Sequence, residues 1–526
     1  MRTMNMKKAI SKTQLLLAAM VAMALLLTAP AHAATPGITG TTFNLTAQAA
    51  FLSQPDGQSV YSWGYGCATG FAPTFAPAAI STGFCGTMQV PGPTLIVTAP
   101  ASGTSTVMVT LANNLPTAAG NTSILFPGFQ VATSGGVAGL LTQEAAHLGS
   151  VTYTLTIPST AAGTHAYYSG TQGDLQVEMG LYGAIIVLPS AVPSACTSGI
   201  IHSNNLAAQA HWSETNYRLA AAAYNHPGAC YDREYIFQFS EIDPRIHRQA
   251  EEQSARPCTG CMNVATEPYV PAYFMINGRS MPDLMDPNYA PEYPHQPYNG
   301  NPHMHPGELV LLRIIGTGRW QHPFHEHGNH VRVLARDGNL ILSATNPNDL
   351  AGPLLFTTTT TPGLTMDGIF YWTSKGLNWD PYGHNAASGS TLPCTADGNG
   401  YNTGAPTAIN YFEWCQDHNK PMQAHPFGDV AGGGPTTLPD PTIFANGPWF
   451  GGSPYLGPDA TVRAVGNTGT TPPSGTVANP PDSEAGFAFM WHSHNEREIT
   501  TNNVFPGGML MMMLVDSREF VIDESN

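Results

Sequence analysis

The stretch SVTYTLTIP (Ser150–Pro158) places Val151, Tyr153, Leu155 and Ile157 at every second position, with Thr between them. In an extended chain successive side chains point to opposite faces, so this run has one apolar and one polar face and reads as a half-buried strand. Similar runs lie on both sides of it: PTLIVTA (Pro93–Ala99), TVMVTLANN (Thr106–Asn114) and GAIIVLP (Gly183–Pro189), separated by Gly, Pro and Asn turns. Short strands at this spacing predict a sandwich or small barrel from about Thr41 to Pro189.

Strand signals resume at REYIFQFSEID (Arg233–Asp243). They continue through AYFMINGRS, GELVLLRIIG, HVRVLARDG and MDGIFYWTS, and close with GFAFMWHSH and GGMLMMMLVD. The expected fold is all-β, with two β domains, at residues 34–192 and 233–526. A connector at 193–232 contains a predicted helix within NNLAAQAHWSETNYRLAAAAY (Asn204–Tyr224), and a Gly/Pro/Asn-rich insertion at about 375–481 interrupts the second domain.

The first 33 residues have basic Arg2, Lys7, Lys8 and Lys12, an apolar centre and the ending Ala31-His32-Ala33. That layout predicts a secretory signal cleaved near Ala33, hence an exported protein, periplasmic or extracellular. The apolar centre is short for a membrane span, and no later stretch reaches the length of one. The chain has 19 basic and 35 acidic residues; the signal carries 4 of the basic and none of the acidic ones, which leaves a mature charge of about −20. A chain this acidic is not expected to take nucleic acid as a partner. Hydrophobic residues at 42% suffice for a substantial core.

Eight cysteines in an exported chain favour disulfides. Paired in chain order they would be Cys67–Cys85, Cys196–Cys230, Cys258–Cys261 and Cys394–Cys415, a connectivity that the sequence alone does not fix. The CTGC of the third pair has the spacing of a redox or metal motif, but a structural clip is the expected role.

The chemistry concentrates in histidines. WQHPFHEHGNH (Trp320–His330) holds His322, His325, His327 and His330, and MWHSHNEREI (Met490–Ile499) holds His492 and His494. On a strand, positions i and i+2 share a face, so each His-x-His projects a pair of imidazoles. Two pairs on neighbouring strands would form a nest for copper, zinc, iron or manganese. His303 and His305 in NPHMHPGELV lie in a Pro-rich loop and are expected to be solvated; His418 and His425 are weaker candidates still.

HPFHEHG resembles the His-Pro-x-His-x-His-Gly motif of multicopper oxidases. VPGPTLIVTAP, VMVTLANNLP and AGTHAYYSGTQGDLQVEMGLYGAIIVLP resemble the skeleton of that family's first cupredoxin domain. YFMINGRSMPDL, PGELVLLRIIG, VLARDG and WHSHNEREITTNNVFPGGM resemble its later parts. The resemblance implies cupredoxin-like Greek-key sandwiches and copper as cofactor. It also implies that the last motif should read His-Cys-His, then a further histidine and a methionine, with the cysteine thiolate holding the type 1, or blue, copper.

This chain departs from that pattern. Ser493 stands at the cysteine position and Glu498 at the later histidine. Leu125 and Pro127 replace one first-domain histidine pair, and Tyr168 and Gly170 replace the other. His165 lies three places early and is read as a strand histidine. A serine hydroxyl is neither soft nor readily deprotonated, so no ordinary blue-copper centre is expected.

The remaining ligand set is His325, His327, His492 and His494, with His322 at a type 1 position and Met509 as a displaced axial ligand or, alternatively, a core filler. The expected function is an exported, copper-binding oxidoreductase holding one or two ions, whose partners are oxygen, a reduced metal ion or a redox protein. Alternatives are a non-catalytic metal-binding or structural protein, and a mononuclear iron or manganese site on His492, His494 and Glu498. Glu498 itself is expected at the surface, in the polar run NERE.

Overall fold

The structure is a computed structural model. It describes residues 35–77, 85–198, 200–211, 214, 220–373, 396–408, 411–412, 452–456, 477–478, 486–516, 518 and 521–522. The expected signal, most of the insertion, the Cys394–Cys415 pair, His418 and His425 lie outside the described residues.

The architecture is all-β. In the N-terminal pair of sheets, one has the order Thr74–Ala76, Gly37–Thr39, Leu95–Thr98, Tyr182–Leu188, Gly163–Tyr168. Its partner has the order Ser59–Cys67, Thr42–Ser53, Thr104–Asn113, Ser150–Pro158, Gln130–Ser134. Strand Ser150–Pro158 alternates as read, burying Val151, Tyr153, Leu155 and Ile157. These side chains meet Leu95, Val97, Tyr167 and Ile185 of the facing sheet around Trp63, forming one apolar core.

The C-terminal pair follows the same logic. One sheet runs Tyr273–Ile276, Arg233–Ile242, Leu309–Gly316, Thr365–Tyr371, Val331–Arg336, Asn339–Leu340, with Leu354–Leu355 beside Val331–Arg336. The other runs His303–Met304, Leu510–Asp516, Gly486–Ser493, His322–Glu326, Thr357–Thr360. Between them Phe237, Phe239, Val310, Leu312 and Phe370 pack on Phe324, Trp491, Met509, Met511 and Met513.

The predicted connector helix is shorter than the sequence suggests. It spans Ile200–His211, and Ala222 instead bridges to Cys230. The Cys196–Cys230 disulfide ties this region together. Cys67–Cys85 and Cys258–Cys261 are also bonded, so the three described disulfides follow chain order.

The two pairs of sheets are pinned to each other by a buried polar contact. Thr164 donates from its backbone N and Oγ1 to Asp367 at 3.2 and 2.6 Å, and Arg313 donates to Thr164 Oγ1 at 2.9 Å. Buried charges so fully bonded resist sliding, because each would otherwise be left unpaired in low dielectric. Among the described residues no helix is long and apolar enough to cross a membrane.

Candidate metal centre

Strand His322–Glu326 lies between Gly486–Ser493 and Thr357–Thr360, all antiparallel. The register sets His325 opposite His492 and Phe324 opposite Ser493. Alternation then turns Phe324 and Trp491 into the core, and His325, His492 and the flanking His327 and His494 to the other face. The four imidazoles are brought together. Ring centroids are 4.5 Å apart for His325–His327, 5.6 Å for His325–His492, 5.1 Å for His325–His494, 5.2 Å for His327–His492 and 5.5 Å for His492–His494.

Three of these rings are buried: His325, His327 and His492, at 4%, 7% and 8% exposure, while His494 is exposed. The cluster is therefore sunk in the sheet and open on the His494 side. His325 Nδ1 shares a 2.8 Å hydrogen bond with Thr357 Oγ1, and His492 Nδ1 donates to the Ser493 carbonyl at 2.7 Å. The Nε2 atoms of His492 and His327 lie 3.3 Å apart. Burial, reinforced by neighbouring His492 and His494, lowers the His325 pKa to about 4, and burial also lowers that of His492. His325 and His492 are thus held at Nδ1, and His492 and His327 face each other through Nε2, an imidazole pair of the kind that suits a soft or borderline cation. Among the described residues, however, no three donor nitrogens of the four rings lie within 4.8 Å of one another.

His322 does not join them. It faces the opposite side of the strand and is fully buried, with Nε2 3.0 Å from Glu241 Oε2 and Nδ1 2.9 Å from Glu498 Oε2. Burial would depress its pKa, but the hydrogen bonds to the two carboxylates prevail and raise it to about 9. Both nitrogens are thus committed to oxygen acceptors. The two carboxylates flank the ring from different nitrogens, so they do not converge on one point.

Glu498 is not a surface residue. It is fully buried, accepting from Ser493 Oγ, His322 Nδ1 and Asn495 Nδ2. The polar run around it misleads because Glu496–Ile499 coils into a single 3-10 turn, which tucks one residue of the run inward. Since Glu498 bonds Ser493, on the face away from His492 and His494, the structure does not assemble the three-ligand mononuclear set. Met509 is fully buried among Met511, Met513 and Trp491, as core packing.

His303 and His305 were expected in solvent, yet His305 is buried, with Nε2 2.6 Å from Glu214 Oε1, and His303 pairs with Asp516 at 2.6 Å. Glu214, His305 and Glu308 cluster closely enough to suggest a cation, but Arg233 already bridges Glu214 at 2.7 Å and Glu308 at 2.5 Å. That cluster is an ion-pair lock.

The N-terminal sheets supply apolar groups where the resemblance calls for ligands. Leu125 and Tyr168 bridge through their backbones, and Gly170 packs on the Leu125 side chain. His165 bonds the Ala161 carbonyl at 3.0 Å and lies against Phe129. Sequence reasoning missed Glu241, Thr357 and Glu326. Only Glu326 carried a signal, as a charged residue inside a buried His-x-His.

Residues 82–192 match the family model described as multicopper oxidase. This chain carries a multicopper oxidase domain. It is similar to the blue copper oxidase from Nitrosomonas europaea at 14% identity, over 90% of this chain and 85% of that one, with a TM-score of 0.42. It is also similar to the multicopper oxidase mgLAC at 16% identity, over 92% and 88% of the two chains, with a TM-score of 0.42. A copper nitrite reductase from Nitrosomonas europaea matches at 17% identity over 63% and 84%, with a TM-score of 0.36. Similarities this low bear on neither substrate nor chemistry. No curated protein matches the chain in sequence. Outside the matched segment, Ser493 and His322 both bond Glu498 where the sequence resemblance expects a blue-copper thiolate and its imidazoles.

Proposed function

We propose that this chain is an exported oxidoreductase of the multicopper-oxidase kind that binds one or two copper ions through His325, His327, His492 and His494. The observation that carries the reading is the approach of these four rings, 4.5 to 5.6 Å between centroids, on one face of a buried pair of strands. Three imidazoles buried together beside a fourth at the surface are costly to desolvate without a ligand, and imidazole donors suit copper. Thr357 and the Ser493 carbonyl orient the His325 and His492 rings from behind.

Copper, when bound, supplies one-electron redox chemistry. The protein supplies the nest, its orientation and one open side at His494. The family's thiolate bridge between an outer acceptor and an inner oxygen site has no counterpart in Ser493, whose hydroxyl is bonded to Glu498. With no thiolate at Ser493 the family's four-electron route would not be served, and the exposed His494 side would be where a reduced metal ion or a redox partner could approach bound copper. Three disulfides and the signal-like start support export.

Metal analysis of purified protein, a visible spectrum and oxygen uptake with an added reductant test this reading together. Copper without intense blue colour, and with turnover, is expected. Copper without turnover favours the non-catalytic alternative. A protein that takes up no copper on reconstitution overturns the assignment.

A further inference from the structure

After strand Arg233–Ile242 the chain makes an excursion that the proposed copper site does not use. Helix Pro244–Ser254, capped by Asp243, buries Ile246 and Ala250 in the N-terminal core. The following turn is then pinned to the same sheets: Gly260 N–H donates to Thr117 O at 3.1 Å and Met262 N–H to Ala118 O at 2.9 Å, with the Met262 side chain buried. Within this turn the Cys258–Cys261 disulfide sits at the surface, Cys258 exposed and Cys261 partly so. The other two disulfides among the described residues are sunk in the protein: Cys67 and Cys85 are 3% and 6% exposed, Cys196 and Cys230 are 1% and 6%.

We propose that Cys258–Cys261 is a thiol-exchange site, opened by dithiol reductants while Cys67–Cys85 and Cys196–Cys230 stay closed. Exchange requires a thiolate to reach a disulfide sulfur, so access selects among bonds of the same kind. The Arg256 guanidinium, bonded to the Cys261 carbonyl at 3.4 Å, places positive charge beside the turn, which favours a departing thiolate. A sequence separation of 3, against 18 and 34 for the other pairs, closes a very short loop, so its loss removes little of the constraint on the unfolded chain. The protein therefore stays folded when this bond opens.

In the first step a thiolate of the reductant attacks Cys258 Sγ, a mixed disulfide forms, and Cys261 leaves as a thiolate that takes a proton from solvent. In the second step the reductant's other thiolate attacks its own sulfur in the mixed disulfide and releases Cys258. The dithiol is oxidised to a disulfide by two electrons, and the cysteine pair is reduced by two. Opening the turn loosens the Gly260 and Met262 contacts on Thr117 and Ala118, so the state of external dithiols is read where the excursion docks.

The test titrates the native protein with dithiothreitol, a small dithiol, and separately with reduced thioredoxin, a protein dithiol, then labels and maps the thiols by mass spectrometry. Cys258 and Cys261 should take label at roughly tenfold lower reductant than Cys67, Cys85, Cys196 and Cys230. The Gly260 and Met262 amides should exchange faster, with circular dichroism unchanged. Label with both reductants assigns protein dithiols as well as small ones, and label with dithiothreitol alone assigns the small class. The Cys258→Ser/Cys261→Ser variant should lose only the early label. Labelling of Cys258 and Cys261 together with Cys67, Cys85, Cys196 and Cys230, or after them, overturns the proposal.

Discussion

Glu498 Oε2 accepts a hydrogen bond from Ser493 Oγ, and the same oxygen accepts from His322 Nδ1 at 2.9 Å. One carboxylate thus engages both Ser493, which the sequence resemblance sets at the type 1 cysteine position, and the imidazole beside it. The locus has become a set of mutually satisfied hydrogen-bonding groups.

Restoring sulfur alone should therefore not restore a blue centre. In Ser493→Cys the His322 ring remains held at both nitrogens and Glu498 still stands in place of a histidine. Visible spectra after cupric addition should show no intense blue band. Such a band in the single variant would mean that the carboxylates yield the ring easily.

His322 is a buried cation between two carboxylates, and truncating one partner of such a group leaves the others uncompensated. His322→Gln should lose about 3–5 kcal/mol in urea unfolding. Its pH signature follows from a folded pKa of about 9 lying above the ordinary histidine value. The stabilisation is fully present below the unfolded pKa, about 6.5, and is lost as pH rises through about 9. Wild-type stability should fall across that window, and the fall should be shallower in His322→Gln.

Glu326 behaves in the opposite sense. Burial raises its carboxyl pKa to about 8, Thr358 donates to Oε1, and Oε2 meets no protein donor. The folded state must keep a proton that the unfolded chain releases above about pH 4.5, so this group opposes folding increasingly between that value and pH 8. Glu326→Gln should raise stability at pH 7 by on the order of 1–3 kcal/mol and have little effect at pH 4. Equal stability of the two proteins at pH 7 would show that the carboxyl is better solvated than its burial indicates.

Thr357 tests the orientation of the nest from outside it. Its hydroxyl shares a hydrogen bond with His325 Nδ1, and removing such a support typically weakens metal affinity 10- to 100-fold. Thr357→Val should show that loss in competitive copper titrations, with unfolding little changed.

The strands were legible because their alternation is strong. Val151, Tyr153, Leu155 and Ile157 can share a core only in an extended chain, and His325 with His327, or His492 with His494, share a face for the same reason. The fate of His322 was not legible. Its partners Glu241 and Glu498 lie 81 and 176 positions away, and only strand pairing brings them to it. Glu498 itself was hidden by polar neighbours: a 3-10 turn has a short repeat, so Glu498 and Ile499 point inward while Asn495, Glu496 and Arg497 remain exposed. His305 misled in the same way, since the Pro-rich sequence around it gives no sign of Glu214 arriving from the connector.

The most direct measurement of the central claim is the copper content, after reconstitution and gel filtration, of the wild type beside His325→Ala/His492→Ala and His322→Gln. The wild type should retain one or two ions per chain, the double variant close to none with its fold intact by circular dichroism, and His322→Gln the wild-type number. Copper that persists in the double variant, or that disappears with His322 alone, would contradict the assignment of the four-imidazole face as the metal site.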